Sequence, residues 1–390
     1  MRTFKLKISY MKQLDAANAA SASVWNECLK LKEMWDYAHG YQTISKACEL
    51  WMDRMLSKRQ ALHSQSIQAV RARYFQCWQG FFALRRNGDK KSRPPYKQKQ
   101  FQTTTWKKSA IRVKNDVLIL SMGKSNQPIK IPIGKYSDKI KNAVVINLVY
   151  NRGQYELHFV YKIDDCDSSK AEGIVGVDIG EIHPIVSHDS VNTMIFNGRY
   201  IRSLYRLRNK VIASFGGKID RCKRHSKRWW HLVKRKRKRI KKIDNQIRDC
   251  LHKHTTKFVK LCESRNIGTI VIGDLTGIRD TIDYGKRVNQ RLHQWAFGKV
   301  TQLITYKAKA LGVKVALIDE AYTSQTCPAC AQKHKPMNRN YICKCGFTYH
   351  RDGVGAINIR QKYLGCFSNP VAADMTPPVG IRLEVRRCPA

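Results

Sequence analysis

"GTIVIGDLTGIRD", residues 268–280, is the stretch on which the fold turns. It opens as a short run of β-branched residues with turn signals on both sides, the pattern of a buried strand, and it stops on Gly273 and Asp274. Two other runs of this kind end beside acids: "IVGVDIG" at Asp178 and "VKVALIDE" at Asp319 and Glu320. Carboxylates gathered at the carboxyl ends of parallel strands are placed to hold divalent metals. The difficulty is that the middle strand delivers a glycine where a carboxylate would be useful.

Outward from these strands, elements alternate from about residue 173, which predicts an α/β domain. Asp352 opens a helix in "HRDGVGAINI". An Asp at a strand end or helix start is often only a cap, so Asp178 and Asp352 gain meaning from what surrounds them. Before this domain, residues 12–84 carry apolar residues three or four apart, including Leu14, Ala17, Trp25, Cys28, Leu31 and Trp35, the stripe of a helical bundle. A basic linker, "RRNGDKKSRPPYKQKQ", follows, and then the period changes to two. "IRVKNDVLILSM", "PIKIPIG" and a hairpin turning at Asn151 to Gln154 predict a small antiparallel barrel. With "TFKLKISY" added as its first strand, the helices become an insertion in that barrel. Residues 364–390, with Asn-Pro and Pro-Pro and no periodicity, are expected to be a flexible tail.

The chain has 390 residues, 43% of them hydrophobic, enough for a real core, and a formal net charge of +44. A charge that large calls for a polyanionic partner, and a nucleic acid is the natural one. No apolar run approaches the ~18 residues of a membrane span, and "MRTFKLKISY" lacks a signal-peptide core. The expectation is an intracellular protein without a membrane partner, in the cytoplasm or nucleoid if the host is a prokaryote. Thirteen cysteines then read as reduced thiols. Four of them, Cys327 and Cys330 in "CPAC" and Cys343 and Cys345 in "CKC", have the spacing of a structural zinc site. The second pair is tighter than the usual C-x-x-C. His334 and His350 lie close by, but a closed four-sulfur site needs neither.

The basic charge concentrates in "DRCKRHSKRWWHLVKRKRKRIKK". Trp229, Leu232, Val233, Ile240, Ile243, Ile247 and Leu251 form one helical stripe, and Arg and Lys occupy nearly everything else between 221 and 242. Lys223, Arg224, Lys227, Arg228, Lys234, Arg235, Lys238 and Arg239 are the candidate nucleic-acid-binding residues, because such a surface tracks phosphates.

"IVGVDIGEIHP", "TIVIGDLTGIRD", "QRLHQWAF", "AYTSQTCPAC…YICKCGF" and "HRDGVGAINI" together resemble TnpB, the transposon-encoded RNA-guided nuclease related to Fanzor proteins and type V CRISPR effectors. The resemblance runs over most of residues 173–362. It implies a RuvC-like fold of the ribonuclease H type at 171–322 and 347–363, with a zinc ribbon at 323–346. It also implies a wedge barrel at 1–10 and 85–170 and a helical recognition domain at 11–84. The implied activity is cleavage of double-stranded DNA selected by a guide RNA next to a short flanking motif, by a chain expected to act as a monomer.

In most of that family the middle strand ends "EDL" and supplies the second catalytic acid. Here that position is Gly273, and Asp274 is a poor substitute because successive strand residues face opposite ways. Glu320, at the end of the expected neighbouring strand, can lean across the ~4.8 Å strand spacing into the space a glycine leaves. Fanzor proteins and some bacterial relatives look rearranged in the same way. Asp178, Glu320 and Asp352 are therefore the expected catalytic acids, holding two Mg²⁺ ions. A second departure is Val354, where the common pattern "RDxNAAxNI" has Asn. Two rivals remain: a nuclease-inactive, RNA-guided DNA-binding repressor, which has no use for Glu320, and a transposase joining DNA ends through the same acids.

Overall fold

The computed structural model describes residues 2–40, 45–57, 62–124, 126–151, 153–162, 171–277, 283, 285–367 and 379–383. The chain divides into two compact units, Met1–Ile163 and Asp164–Ala390.

In the first unit, β1 (Arg2–Ile8) is followed by α1 (Lys12–His39), α2 (Lys46–Leu56), α3 (Ser64–Arg86), β2 (Thr104–Lys107), β3 (Ile111–Lys114), β4 (Val117–Leu120), β5 (Ile129–Pro132), α4 (Ser137–Lys141), β6 (Val145–Asn151) and β7 (Gln154–Tyr161). β1 pairs antiparallel with β7 from Arg2↔Tyr161 to Ile8↔Tyr155, and the sheet order β1-β7-β6-β2 places α1 to α3 in sequence inside it. The β3-β4-β5 meander forms a second sheet. One core serves both sheets and the helices, since Trp25, Tyr74, Trp106, Leu118 and Phe159 belong to the same buried cluster. The α1 stripe expected from sequence is buried at Leu14, Ala17, Trp25, Cys28 and Leu31. Ser45 caps α2 by accepting from the Cys48 N–H, and a two-nitrogen Arg71–Asp53 bond at 2.6 and 2.8 Å ties α3 to α2.

The second unit runs β8 (Gly173–Asp178), β9 (Ile185–His188), β10 (Asn192–Phe196), α5 (Arg199–Asp220), α6 (Lys227–Ser264), β11 (Ile267–Asp274), α7 (Lys286–Gln294), α8 (Phe297–Lys309), β12 (Lys314–Asp319), β13 (Asn340–Ile342), β14 (Thr348–His350), α9 (Arg351–Tyr363) and β15 (Val379–Leu383). Its main sheet has the order β12-β11-β8-β9-β10-β15. β8, β11 and β12 are mutually parallel neighbours, so their carboxyl ends lie along one edge; β9 is antiparallel to β8. The expected tail is corrected over Val379–Leu383, which pairs parallel with β10. "VGIRL" is short and apolar enough to extend a sheet edge, and the prolines that suggested a loose end precede it. Residues 368–378 and 384–390 of that tail lie outside the described residues.

Helix α9 crosses β8 at glycine. A Cβ on Gly176 would stand 2.3 Å from the Ala356 carbonyl oxygen and 2.7 Å from the Arg360 nitrogen, both backbone atoms that cannot rotate away. Arg360 Nε also donates to the Ile174 carbonyl at 2.9 Å. Gly176→Ala is therefore expected to cost about 1–3 kcal/mol, seen as a melting temperature lower by several degrees. Gly80→Ala is the control: it lies at an exposed position inside α3, where the new Cβ meets nothing, and should instead stabilise by ~0.5–1 kcal/mol.

Candidate functional site

The register of β11 on β12 sets Gly273 opposite Ile318 and Asp274 opposite Asp319. Both aspartates turn away and are exposed. Asp274 Oδ1 accepts from the Thr276 hydroxyl at 2.6 Å and its N–H at 2.9 Å. Asp319 accepts from Lys362 Nζ at 2.7 Å and from the Ala321 N–H at 3.0 Å. These bonds, the Thr276 hydroxyl first in one case and Lys362 in the other, hold each carboxyl below its usual range. Glu320, one residue further on, returns over the sheet. A Cβ on Gly273 would lie 2.6 Å from Glu320 Oε2 and 3.0 Å from Glu320 Cβ, so the glutamate occupies the volume a side chain at 273 would need.

Asp178 ends β8 under α9, where a Cβ on Gly355 would meet Asp178 Oδ2 at 2.8 Å. Burial, reinforced by the negative charges of Asp352 and Glu320, pushes its carboxyl well above the usual range. Burial, with Asp319 and Asp274 adding to it, likewise raises Glu320 to about 7. Asp352 behaves oppositely. It lies in the first turn of α9, where the His350 ring accepts from its N–H. Its Oδ2 is 2.8 Å from His183 Nδ1 and accepts from Arg339 at 2.6 Å. Burial alone would raise Asp352, but His183, Arg339 and His350 outweigh it and hold the group low.

Among the described residues, two groups have ligand atoms all within 4.8 Å of one another: Cys327, Cys330, Cys343 and Cys345, and His183, His350 and Asp352. In the first, Cys327 and Cys345 sulfurs are 3.7 Å apart and Cys330 and Cys343 sulfurs 3.5 Å. Tetrahedral sulfur ligands at ~2.3 Å from zinc would be separated by about 3.8 Å, so the cluster fits a zinc ribbon, and the tighter C-x-C closes it without strain at Gly346, whose φ is 90°. The Phe347 N–H lowers the exposed Cys345 thiol to about 7, while burial raises Cys327 and Cys343. Val354 packs among Cys327, Tyr341, Cys343 and Phe347, so an apolar contact with the ribbon stands where the common pattern has Asn. Buried Asn358 donates to the carbonyls of Thr323 (2.6 Å) and Thr326 (2.7 Å) at the ribbon's entrance.

All eight basic residues singled out between Lys223 and Arg239 are exposed. They flank the turn between α5 and α6, and α6 buries no residue before Lys241. Sequence reasoning missed His183, Arg339 and Asn358 as parts of the site. His183 and Asn358 stand within the quoted motifs, while Arg339 lies between the two cysteine pairs without any local signal.

The sheet order, the acid-bearing strand ends and the cysteine ribbon define a RuvC-like, ribonuclease H-type nuclease fold. The family described as "Probable transposase" matches residues 158–279, and the one described as "Cas12f1-like, TNB domain" matches 297–359. Parts of the chain are similar to TnpB-like and Cas12f proteins. It is 32% identical over 130 residues to a TnpB-like protein of Methanocaldococcus jannaschii, covering 32% of this chain and 46% of that protein. It is 34% identical over 134 residues to the CRISPR-associated endodeoxyribonuclease Cas12f1 of Sulfoacidibacillus thermotolerans, covering 31% and 30%. The chain thus spans less than half the length of these relatives. Among solved structures, a Cas12f1–sgRNA–target DNA complex aligns with a TM-score of 0.58 at 12% identity over 90% of this chain and 83% of that one. The RNA-guided endonuclease CRISPR-Cas_phi3 aligns with a TM-score of 0.55 at 11% identity, over 97% and 93%. No helix among the described residues is long and apolar enough to cross a membrane.

Asn358→Ala is expected to strand two buried carbonyls, at ~1–3 kcal/mol each if neither finds water. The expected result is a lower melting temperature together with weaker retention of metal by the four cysteines, measured by metal analysis after dialysis.

Proposed function

We propose that the chain is an RNA-guided DNA endonuclease of a transposable element, cutting double-stranded DNA beside a short flanking motif. Asp178, Glu320 and Asp352 would hold two Mg²⁺ ions, and Cys327, Cys330, Cys343 and Cys345 a structural Zn²⁺. The observation that carries the reading is the Glu320 side chain filling the volume over Gly273: a decayed site would have no reason to send a second acid into the gap left by the first.

The donor sets match these metals. Carboxylate oxygens suit Mg²⁺, and four thiolates suit Zn²⁺. A buried Asp178 whose proton affinity is raised by burial and by the charges of Asp352 and Glu320 is poorly off without a cation. Two ions bound there would supply an activated water for in-line attack and stabilisation of the leaving oxygen. The protein's own contribution is placement. β8 and β12 fix Asp178 and Glu320, α9 fixes Asp352, and His183 with Arg339 sets the rotamer of the last through Oδ2. The exposed cations of the α5–α6 region would grip nucleic-acid backbone, leaving sequence choice to pairing between guide RNA and target strand. The relatives' names, an endodeoxyribonuclease and TnpB-like proteins, support the same class.

The test is Mg²⁺-dependent cutting by the purified chain with its co-purifying RNA. Asp178→Ala and Glu320→Ala should each cut at least about 10²-fold more slowly, about 2.7 kcal/mol of barrier, with guided DNA binding retained. Binding with no metal-dependent cutting by the wild type would instead make the chain a guided repressor. Gly273→Ala gives a sharper check. The new methyl must displace the flexible end of Glu320, so cutting should fall while the melting temperature changes little. Pairing Gly273→Glu with Glu320→Ala should recover measurable cutting, since it returns a carboxylate to the same space from the adjacent strand.

A further inference from the structure

The turn joining α5 to α6 carries aromatic rings that the fold leaves unused. Trp229 and Trp230 meet edge to face, with centroids 4.7 Å apart and an interplanar angle of 86°. The His225 ring braces both, at 5.2 and 5.8 Å. His225 has a φ of 67°, in the left-handed region disfavoured for a residue with a side chain, and Ser226 caps α6 by accepting from the Trp229 N–H. The rings are thus held by local structure. Yet neither tryptophan joins the hydrophobic core of the unit, whose α6 members begin at Ile243, and Trp230 is 41% exposed. A large aromatic surface kept in water is a contact waiting for a partner.

The surroundings say which partner. No acid occurs between Asp220 and Asp244, while Lys223, Arg224, Lys227 and Arg228 crowd the same turn. Such a field selects a polyanion. Among polyanions, nucleic acids present flat π-faces, and base–aromatic stacking needs no particular base. An edge-to-face pair uses one ring's edge and one face of the other, so ring faces are left for a third ring. In duplex DNA the base faces are already stacked and must first be pulled apart at a cost, whereas loops and ends of folded RNA display them.

We propose that Trp229 and Trp230, braced by His225, form a stacking platform for an unpaired base of an RNA, with the neighbouring lysines and arginines on its flanking phosphates. The assignment rests on the RNA-guided reading above and adds a mode of recognition that phosphate tracking alone lacks.

The experiment uses the full chain, freed of co-purifying RNA. Its affinity is measured for an RNA hairpin with a single-stranded 3′ overhang, for the blunt hairpin, and for the overhang hairpin made of DNA. The overhang RNA should quench tryptophan emission. Trp230→Ala should weaken its binding roughly 5- to 150-fold with no change in the slope of log affinity against log salt, and should leave the blunt hairpin unaffected. Trp230→Phe should recover part of the loss. Lys223→Gln with Arg224→Gln should behave differently, lowering the salt slope by about 0.7 for each phosphate that is no longer neutralised. Unchanged affinity of Trp230→Ala for the overhang RNA, with wild-type binding intact, would overturn the platform alone. A Trp230-dependent preference for the DNA overhang would overturn its assignment to RNA. Failure of the wild type to bind any RNA would overturn the guided reading together with the platform.

Discussion

Like charges forced together away from water are the constraint around which the second unit is organised. Asp178, Glu320 and Asp352 come from the ends of two parallel strands and the start of a helix, and burial, with the charges of Asp352 and Glu320 added to it, raises the proton affinity of Asp178. The fold removes side chains wherever backbone or carboxylate must pass. Gly176 admits α9 against β8, Gly355 makes room for the Asp178 carboxylate, and Gly273 for that of Glu320. The acids are not treated alike. Asp352 is compensated by His183 and Arg339, while Asp178 and Glu320 carry the cost of burial. That asymmetry leaves one anchored anion and two that gain most from a bound cation.

The ribbon is mechanically part of this arrangement. β14 ends at His350, the residue that caps α9, and Asp352 follows two positions later. Arg339, on the ribbon side, reaches Asp352 directly, and its backbone carbonyl accepts from the Arg351 N–H at 2.8 Å. Asn358 fastens the far side of α9 to the carbonyls at the ribbon's entrance. A metal held by the four thiolates would contribute folding free energy, and that free energy would steady the segment that carries Asp352.

How much of this could be read from residues alone depends on the range of the interaction. The strands showed as short apolar runs and the cysteines as a spacing, because both are local patterns. That Glu320 fills the space over Gly273 was legible because strand pleating and strand spacing are regular: the side of the sheet that Asp274 faces follows from its position beside Gly273. His183 escaped because its partner is 169 positions away, and an imidazole in a turn carries no sign of it. Arg339 escaped because one basic residue among many has no distinguishing pattern. β15 escaped because the Pro-Pro turn signals ahead of it outweighed five residues of strand character.

Helix α6 shows how one element can serve core and partner together. Its 38 residues span about 57 Å. From Ile243 onward it buries Ile247, Leu251, Phe258 and Val259, and acids reappear: Asp244 pairs with Arg208 of α5 at 2.8 Å and Asp249 with Lys253 at 2.6 Å. Ahead of that point the apolar residues are only half-buried, and positions such as Lys234 and Lys238, or Arg235 and Arg239, set like charges one turn apart. Such pairs destabilise an isolated helix by a few tenths of a kcal/mol each. The buried half anchors the helix firmly enough to keep the unburied half extended against that repulsion. The repulsion is then available as binding free energy, because any polyanion laid along this half relieves it while releasing its own counterions.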